Sequence, residues 1–411
     1  MTTRLIAPTT RAPWLMLLAL STAFSLSQAF RTSTAMMAAQ LQADFQLSPQ
    51  QLGGFAGAFH FAFGAMQLFM GVGIDLYGVR RTVLCAFPFA VAGALLSALS
   101  GHYALVVLGQ VLIGMGCAPA FLVCTVFISR RFAAERFAAV SGSVMGLGGL
   151  GMLLTATPLA WVVQSSSWRV GFLVLAGLAA AAWLLIFLLV EPAAARAANA
   201  PRESMRAALR SFGGLFAAPH TLGIMALGAV TYAAFMTLRG LWLGPLLTER
   251  YGFTLVQAGN VALLVSVLSI AGPPLFGRLQ TTGAQRRRWI AAFTATYVLL
   301  FALLASTGNA TLAIGASVAI GFLSGFIVLQ YADVRHAYPA ALTGRAMAVY
   351  TMAMFLGIGV MQWATGAVAS LARGHGIDPY AAVLGTIAVL LTAGLGAFVW
   401  LPGPGHDLAV P

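Results

Sequence analysis

Gly71-Val-Gly-Ile-Asp75-Leu-Tyr-Gly78-Val-Arg80-Arg81 sits between two long apolar stretches, and a partial copy of it returns 206 positions later. Under that single ungapped offset Gln51 falls on Gln257, Gly53 on Gly259 and Gly71 on Gly277, while Arg80 and Arg81 fall on Arg286 and Arg287. Thr281 stands opposite Asp75 and Ala284 opposite Gly78, so the second copy keeps the basic pair and loses the acid. A glycine-and-arginine joint repeated between apolar spans marks a chain made of two related halves.

Composition leads to the same class. The chain is 60% hydrophobic and 8% charged, against roughly 25% charged residues in soluble domains, so its solvent is lipid. Stretches long enough to cross a bilayer lie near 14–41, 51–73, 82–100, 103–127, 138–163, 169–190, 220–247, 257–277, 289–307, 310–331, 346–371 and 380–401. The expected fold is an all-α membrane protein with twelve transmembrane helices in two pseudo-symmetric six-helix bundles, 1–190 and 220–411. The only long polar stretch, 191–219, joins them as a linker. In that linker Arg202, Arg206 and Arg210 stripe one helical face at four-residue spacing and suit anionic headgroups.

All 22 basic residues are arginines. Those outside the spans fall almost entirely in segments of one parity; Arg169, Arg250 and Arg373 fall on the other, and Arg31 and Arg239 lie inside spans. By the positive-inside rule both termini and the linker are cytoplasmic. The net charge of +13 is therefore a topological signal and does not point to nucleic acid. A signal peptide is the competing reading of the N-terminus, with Arg4 and Arg11 as its basic region and Ser27-Gln-Ala29 as its cleavage site. Cleavage would leave eleven spans and remove the partner of the helix at 220–247. Cys85, Cys117 and Cys124 are too few and too scattered for a disulfide framework or a zinc site.

The joint resembles the signature of the major facilitator superfamily between its second and third helices, Gly-x-x-x-Asp-Arg/Lys-x-Gly-Arg-Arg/Lys. Gly71, Asp75, Gly78, Arg80 and Arg81 match it, and Leu76 departs from it. Trp168-Arg169-Val-Gly-Phe172 is similar to the family's Trp-Arg-x-x-Phe. The resemblance implies alternating access in a bacterial inner membrane, with these five joint residues as gating elements. It also implies a monomer that takes a small substrate and needs no cofactor. Helix 5 is glycine-rich but lacks the Gly-Pro pair of the family's antiporters, and Gln110 stands in helix 4 where a family pattern begins with arginine.

Polar residues inside spans are costly and therefore candidates for function. Arg31 in helix 1 and Arg239 in helix 7 lie at comparable depth, although the 206 offset carries Arg31 to Thr237. No aspartate or glutamate lies mid-span, so two buried cations lack a counter-charge that an anionic substrate would supply. Backbone bonding or snorkelling is the structural alternative. The pair resembles the arginines of the superfamily's organophosphate–phosphate antiporters, though Arg31 is followed by Thr-Ser-Thr and not by that family's Arg-Lys-Asn-Phe run. Gln28, Ser27 and Thr34 share the face of Arg31; Tyr232, Met236 and Trp242 share that of Arg239, where Trp242 is expected to stack or to anchor the helix. His60 is the only histidine inside a span. Gln67, Gln330, Tyr331 and Gln362 are unranked additions.

The leading expectation is thus a secondary transporter of a small organic anion of carboxylate, phosphate or sulfonate type. The alternatives are a proton-driven exporter of drugs or a siderophore-like metabolite, a transporter-like sensor, and, from Met66-x-x-x-Met70, a copper importer. No nucleophile–base pair, metal cluster or nucleotide loop suggests an enzyme.

Overall fold

The computed structural model describes residues 13–133, 136–192, 219–279, 283–338 and 340–401. Most of the 191–219 linker, Glu135, Thr281 and both chain ends lie outside the described residues, as does the side chain of Asp75.

Every described element is helical, as the absence of water in a bilayer demands of a chain that must satisfy its own backbone. Among the described residues eleven helices are long and apolar enough to cross a membrane. They are α1 (Pro13–Phe45), α3 (Leu76–Leu99), α4 (Tyr103–Arg131), α5 (Val140–Ser165), α6 (Trp168–Leu189), α7 (His220–Arg250), α8 (Leu255–Phe276), α9 (Gly283–Ser306), α10 (Ala310–Ala337), α11 (Leu342–Gly374) and α12 (Pro379–Trp400). A further helical segment, α2 (49–75), runs into α3 through the Gly71–Arg81 joint. The helical path breaks at Gly78, just inside the start of α3, at φ 80° and ψ 166°, a conformation that glycine reaches without a Cβ penalty. Large apolar side chains on the outside, such as Leu99, Trp161, Leu299, Val389 and Trp400, are exposed, the inverse of a soluble protein and the expected surface for lipid contact.

The repeat is visible in the helix starts. Ser48 caps α2 and exchanges bonds with Gln51 in a capping box; 206 residues later Thr254 and Gln257 do the same for α8. Gln51 and Gln257 recur because each returns a side-chain oxygen to the cap backbone N–H. It is visible again past the joint. Arg80 donates to the carbonyl of Phe187 on α6 at 2.9 Å and lies over the Phe187 ring; in the second half the same kind of contact is made one position on from the strict offset, by Arg287, which donates to the carbonyl of Phe398 on α12 at 2.8 Å and lies over that ring.

One end of the molecule is tightly closed between the early and late helices. A Cβ on Gly53 of α2 would strike the carbonyl of Gln362 on α11, one on Gly57 would meet the Gly359 carbonyl at 2.9 Å, and one on Gly366 the Pro49 carbonyl at 2.7 Å. On the opposite flank Gly259 of α8 packs against Thr157 and Ala160 of α5. Small residues permit this backbone approach in a medium that offers no hydrophobic drive between helices. The same end holds the three arginines that broke the parity pattern, each opposite an acid: Arg169–Asp44 at 2.6 Å, Arg250–Asp378 at 3.3 Å and Arg373–Glu249 at 3.0 Å. The exceptions are thus locally neutralised and do not dilute the charge asymmetry.

Candidate functional site

Arg31 is the centre of the described polar interior. Helical spacing brings residues three and four positions earlier beneath it. Its Nη1 donates to Gln28 Oε1 at 2.7 Å and its Nη2 to Ser27 Oγ at 3.1 Å. The guanidinium lies over two rings, Phe63 of α2 at 4.4 Å and Phe355 of α11 at 4.7 Å, and these rings are themselves 4.3 Å apart. Early and late helices therefore both contribute to its walls, and face-on rings favour a cation at such distances. Tyr232 of α7 faces Arg31 and Gln28 and sits edge-on to Phe355. Arg31 is 5% exposed, and its Nε has no partner among the described residues.

His60 and Gln362 extend the group. His60 Nδ1 lies 3.0 Å from Gln362 Oε1 and 3.3 Å from the Ala56 carbonyl. Both are acceptors, so Nδ1 carries the hydrogen and Nε2 of the neutral ring presents a lone pair. That Nε2 and the Gln362 amide nitrogen are buried without partners among the described residues. Gly240 of α7 ties the group together, since a Cβ there would lie 2.8 Å from the Arg31 carbonyl and 3.8 Å from Gln362 Nε2. The structure thus gathers Arg31, Gln28, His60 and Tyr232, and adds Phe63, Phe355 and Gln362, of which only Gln362 had a signal in the sequence.

Arg239 is fully buried and differently engaged. It is the second residue of the π-helical turn Leu238–Trp242, a geometry frequent at functional sites. Its Nε donates to Ser266 Oγ on α8 at 3.0 Å and its Nη2 to the Met152 carbonyl on α5 at 2.9 Å. That carbonyl is available because α5 breaks ahead of Pro158: the Ala156 N–H turns to Leu153 and leaves Met152 without its usual helical donor. Arg31 and Arg239 therefore have separate hydrogen-bond partners in this conformation. Nη1 of Arg239 remains without a partner among the described residues. Trp242 joins neither arginine: its indole N–H donates to Thr365 at 3.0 Å and its ring lies edge-on to Tyr380. It packs α7 against α11 and α12.

A third polar group lies between α7, α10 and α11. Gln330 Oε1 accepts from the hydroxyls of Tyr350 and Thr231, and its amide nitrogen has no partner among the described residues. Tyr331 sits edge-on to Tyr350 with centroids 5.1 Å apart, and its hydroxyl lies 3.4 Å from that of Thr351.

At the joint, Gly78 supplies the turn and Arg80 the bond to α6, whereas Arg81 is exposed and a Cβ on Gly71 would meet nothing within 4 Å. The acid missing from the second copy is replaced from another helix. Asp333 of α10 pairs with Arg287 at 3.2 Å and with Arg286 at 3.5 Å. Among the described residues no group of three or more His, Cys, Asp or Glu is placed to hold a metal ion. Met66 and Met70 pack against the core.

Comparison with known proteins agrees with the architecture. The family model described as Major Facilitator Superfamily matches residues 18–362, and the chain belongs to that superfamily. Among solved structures it is similar to a D-xylose–proton symporter, with TM-score 0.72 at 14% identity over 96% of this chain and 98% of that one. It is also similar to the nucleoside transporter NupG, with TM-score 0.75 at 14% identity over 93% and 99%. A third is a bacterial homolog of the human lysosomal transporter Spinster in an inward-facing, unoccupied conformation, with TM-score 0.73 at 14% identity over 95% and 96%. No curated protein sequence matches the chain. The chain is thus a multi-pass membrane protein of the Major Facilitator Superfamily that shares its fold with these transporters.

Proposed function

We propose that this transporter moves a small organic anion by alternating access. The observation that carries the reading is Arg31: a buried guanidinium with no acid beside it among its partners, its Nε without a partner among the described residues, and its walls drawn from both halves of the chain. The Nε–Nη2 edge of the fork is the side on which a carboxylate or phosphate engages two parallel donors. Arg239 supplies a second positive charge from α7, and its bond across to Met152 makes it part of the contact that must break when the halves rock. Binding between repeats is the general plan of such carriers.

The reading includes twelve spans in two six-helix bundles, 1–190 and 220–411, joined by a cytoplasmic linker at 191–219. Both termini are cytoplasmic, and the membrane is a bacterial inner membrane. On that topology the end closed by Gly53, Gly366 and the three ion pairs is periplasmic, and the conformation faces inward. The Asp333–Arg286–Arg287 group and the Gly71–Arg81 joint then lie at the cytoplasmic end, where Asp75, Arg80 and Arg81 serve as gating residues. A single chain contributes every element of the path.

Two measurements test this. A thermal-shift screen of the purified protein against carboxylates, phosphates, sulfonates, sugars and nucleosides is expected to show stabilisation by anions only, since a ligand that binds the folded form raises its apparent stability. Stabilisation by a sugar or nucleoside with no response to any anion would overturn the substrate class. Reporter fusions at Ala200 and Asp407 are expected to report cytoplasm and one at Arg373 periplasm; a periplasmic Ala200 would break the helix count.

A further inference from the structure

We infer that the Arg31 site selects aromatic monocarboxylates that carry a hydroxyl group. The inference rests on the anion reading above and goes on to name the rest of the ligand. Its first support is the inventory of unmet hydrogen-bonding capacity. Three atoms in this group are buried without partners among the described residues: Arg31 Nε, a charged donor; Gln362 Nε2, a neutral donor; and His60 Nε2, an acceptor because Nδ1 holds the hydrogen. Buried polar atoms left unpaired are costly, so an unpaired set describes its missing partner. A carboxylate answers Arg31, because it only accepts. It cannot answer His60, which needs a donor. A hydroxyl both donates and accepts, so one such group answers His60 Nε2 and Gln362 Nε2 together. Protonation of His60 would only turn the unpaired acceptor into an unpaired donor, and would set a second positive charge near Arg31.

The second support is the wall chemistry. Phe63 and Phe355 lie over the guanidinium and Tyr232 faces it, while Phe59 on α2 and the Tyr331–Tyr350 pair on α10 and α11 add further ring surface. Phe59 stacks on Phe63 with an interplanar angle of 22° and meets His60 edge-on, so aromatic surface runs from Arg31 to the histidine. Tyr232 and Tyr331 are only half-buried although they belong to the interior. Rings prefer ring partners in offset or edge-on packing beyond simple area burial. A ligand body that must pack on these rings is thus better met by a flat aromatic group than by a saturated one.

The test is binding by the full-length protein in detergent, with benzoate, 3-hydroxybenzoate, 4-hydroxybenzoate, cyclohexanecarboxylate and propionate as probes. At least one hydroxybenzoate is expected to bind about fivefold to tenfold more tightly than benzoate, the effect of one added hydrogen-bonding group. Benzoate is expected to exceed cyclohexanecarboxylate by a similar factor. In His60→Leu, and in Gln362→Leu as a second variant should the first fail to fold, the ratio of hydroxybenzoate to benzoate affinity should fall toward one. In Phe355→Leu the ratio of benzoate to cyclohexanecarboxylate affinity should fall instead. Equal or tighter binding of cyclohexanecarboxylate or propionate would overturn the aromatic assignment and leave the anion reading standing. An unchanged hydroxybenzoate ratio in both His60→Leu and Gln362→Leu would overturn the hydroxyl assignment. Binding of none of the five probes would overturn the inference, and the screen of phosphates and sulfonates then decides the anion reading separately.

Discussion

Replacing Arg31 with glutamine is expected to weaken anion binding by roughly one to two orders of magnitude, because a hydrogen bond to a charged group contributes about 1.5–3 kcal/mol. Lysine should restore part of the loss: it keeps the charge and gives up the planar fork with its free Nε. The effect on the empty protein should run the other way. Arg31 keeps two hydrogen bonds and two ring contacts but no counter-charge among these partners, so removing it relieves the cost of holding a cation away from water. Arg31→Gln should therefore unfold at a midpoint no lower than that of the parent while losing the ligand-induced rise. A variant that melts early and binds poorly would mark Arg31 as a structural brace. Normal binding and normal flux would remove it from the site.

Arg31 also shows how far the residues alone can take such an argument. Its depth in α1 and the lack of mid-span acids were legible because charge is rare here, and so was the face it shares with Ser27 and Gln28. Its partners across the interior were not. In a helix that is apolar all round, periodicity does not separate the side facing lipid from the side facing a neighbour. Nothing in the pattern of α2 or α11 singles out Phe63 or Phe355 from the other 25 phenylalanines. Arg239 shows the same limit: its burial followed from the sequence, but its direction depends on a carbonyl freed by the break ahead of Pro158, which is a backbone event. Conversely, the 206-residue offset foretold more than glycines and arginines. Gln51 and Gln257 proved to be matching halves of two capping boxes. The three arginines of the wrong parity carried a readable clue as well, since Asp44, Glu249 and Asp378 share their side of the topology and pair with them.

The closed end offers the other large effect. Gly53→Val is expected to cut transport at least tenfold while leaving the protein able to bind its ligand. A Cβ at position 53 would collide with the carbonyl of Gln362 and come within 3.0 Å of the Gly366 Cα, and both are backbone atoms that cannot rotate aside. Overpacking of this kind costs about 1–3 kcal/mol, charged against only the state in which α2 and α11 touch. Alternating access needs the two end states to lie within a few kcal/mol of each other, so such a penalty moves most of the population to the state open at this end. Gly54→Val is the control: it adds the same atoms one residue along, where a Cβ meets nothing within 4 Å, and transport should stay near the parent rate. The shift itself can be read at Ser370, whose hydroxyl accepts the Gln50 N–H at 2.9 Å in the closed form. A cysteine placed at 370 should react with a hydrophilic thiol reagent faster in the Gly53→Val background than in the Gly54→Val background. Equal reactivity in the two, together with undiminished transport by Gly53→Val, would show that the α2–α11 contact is not a gate.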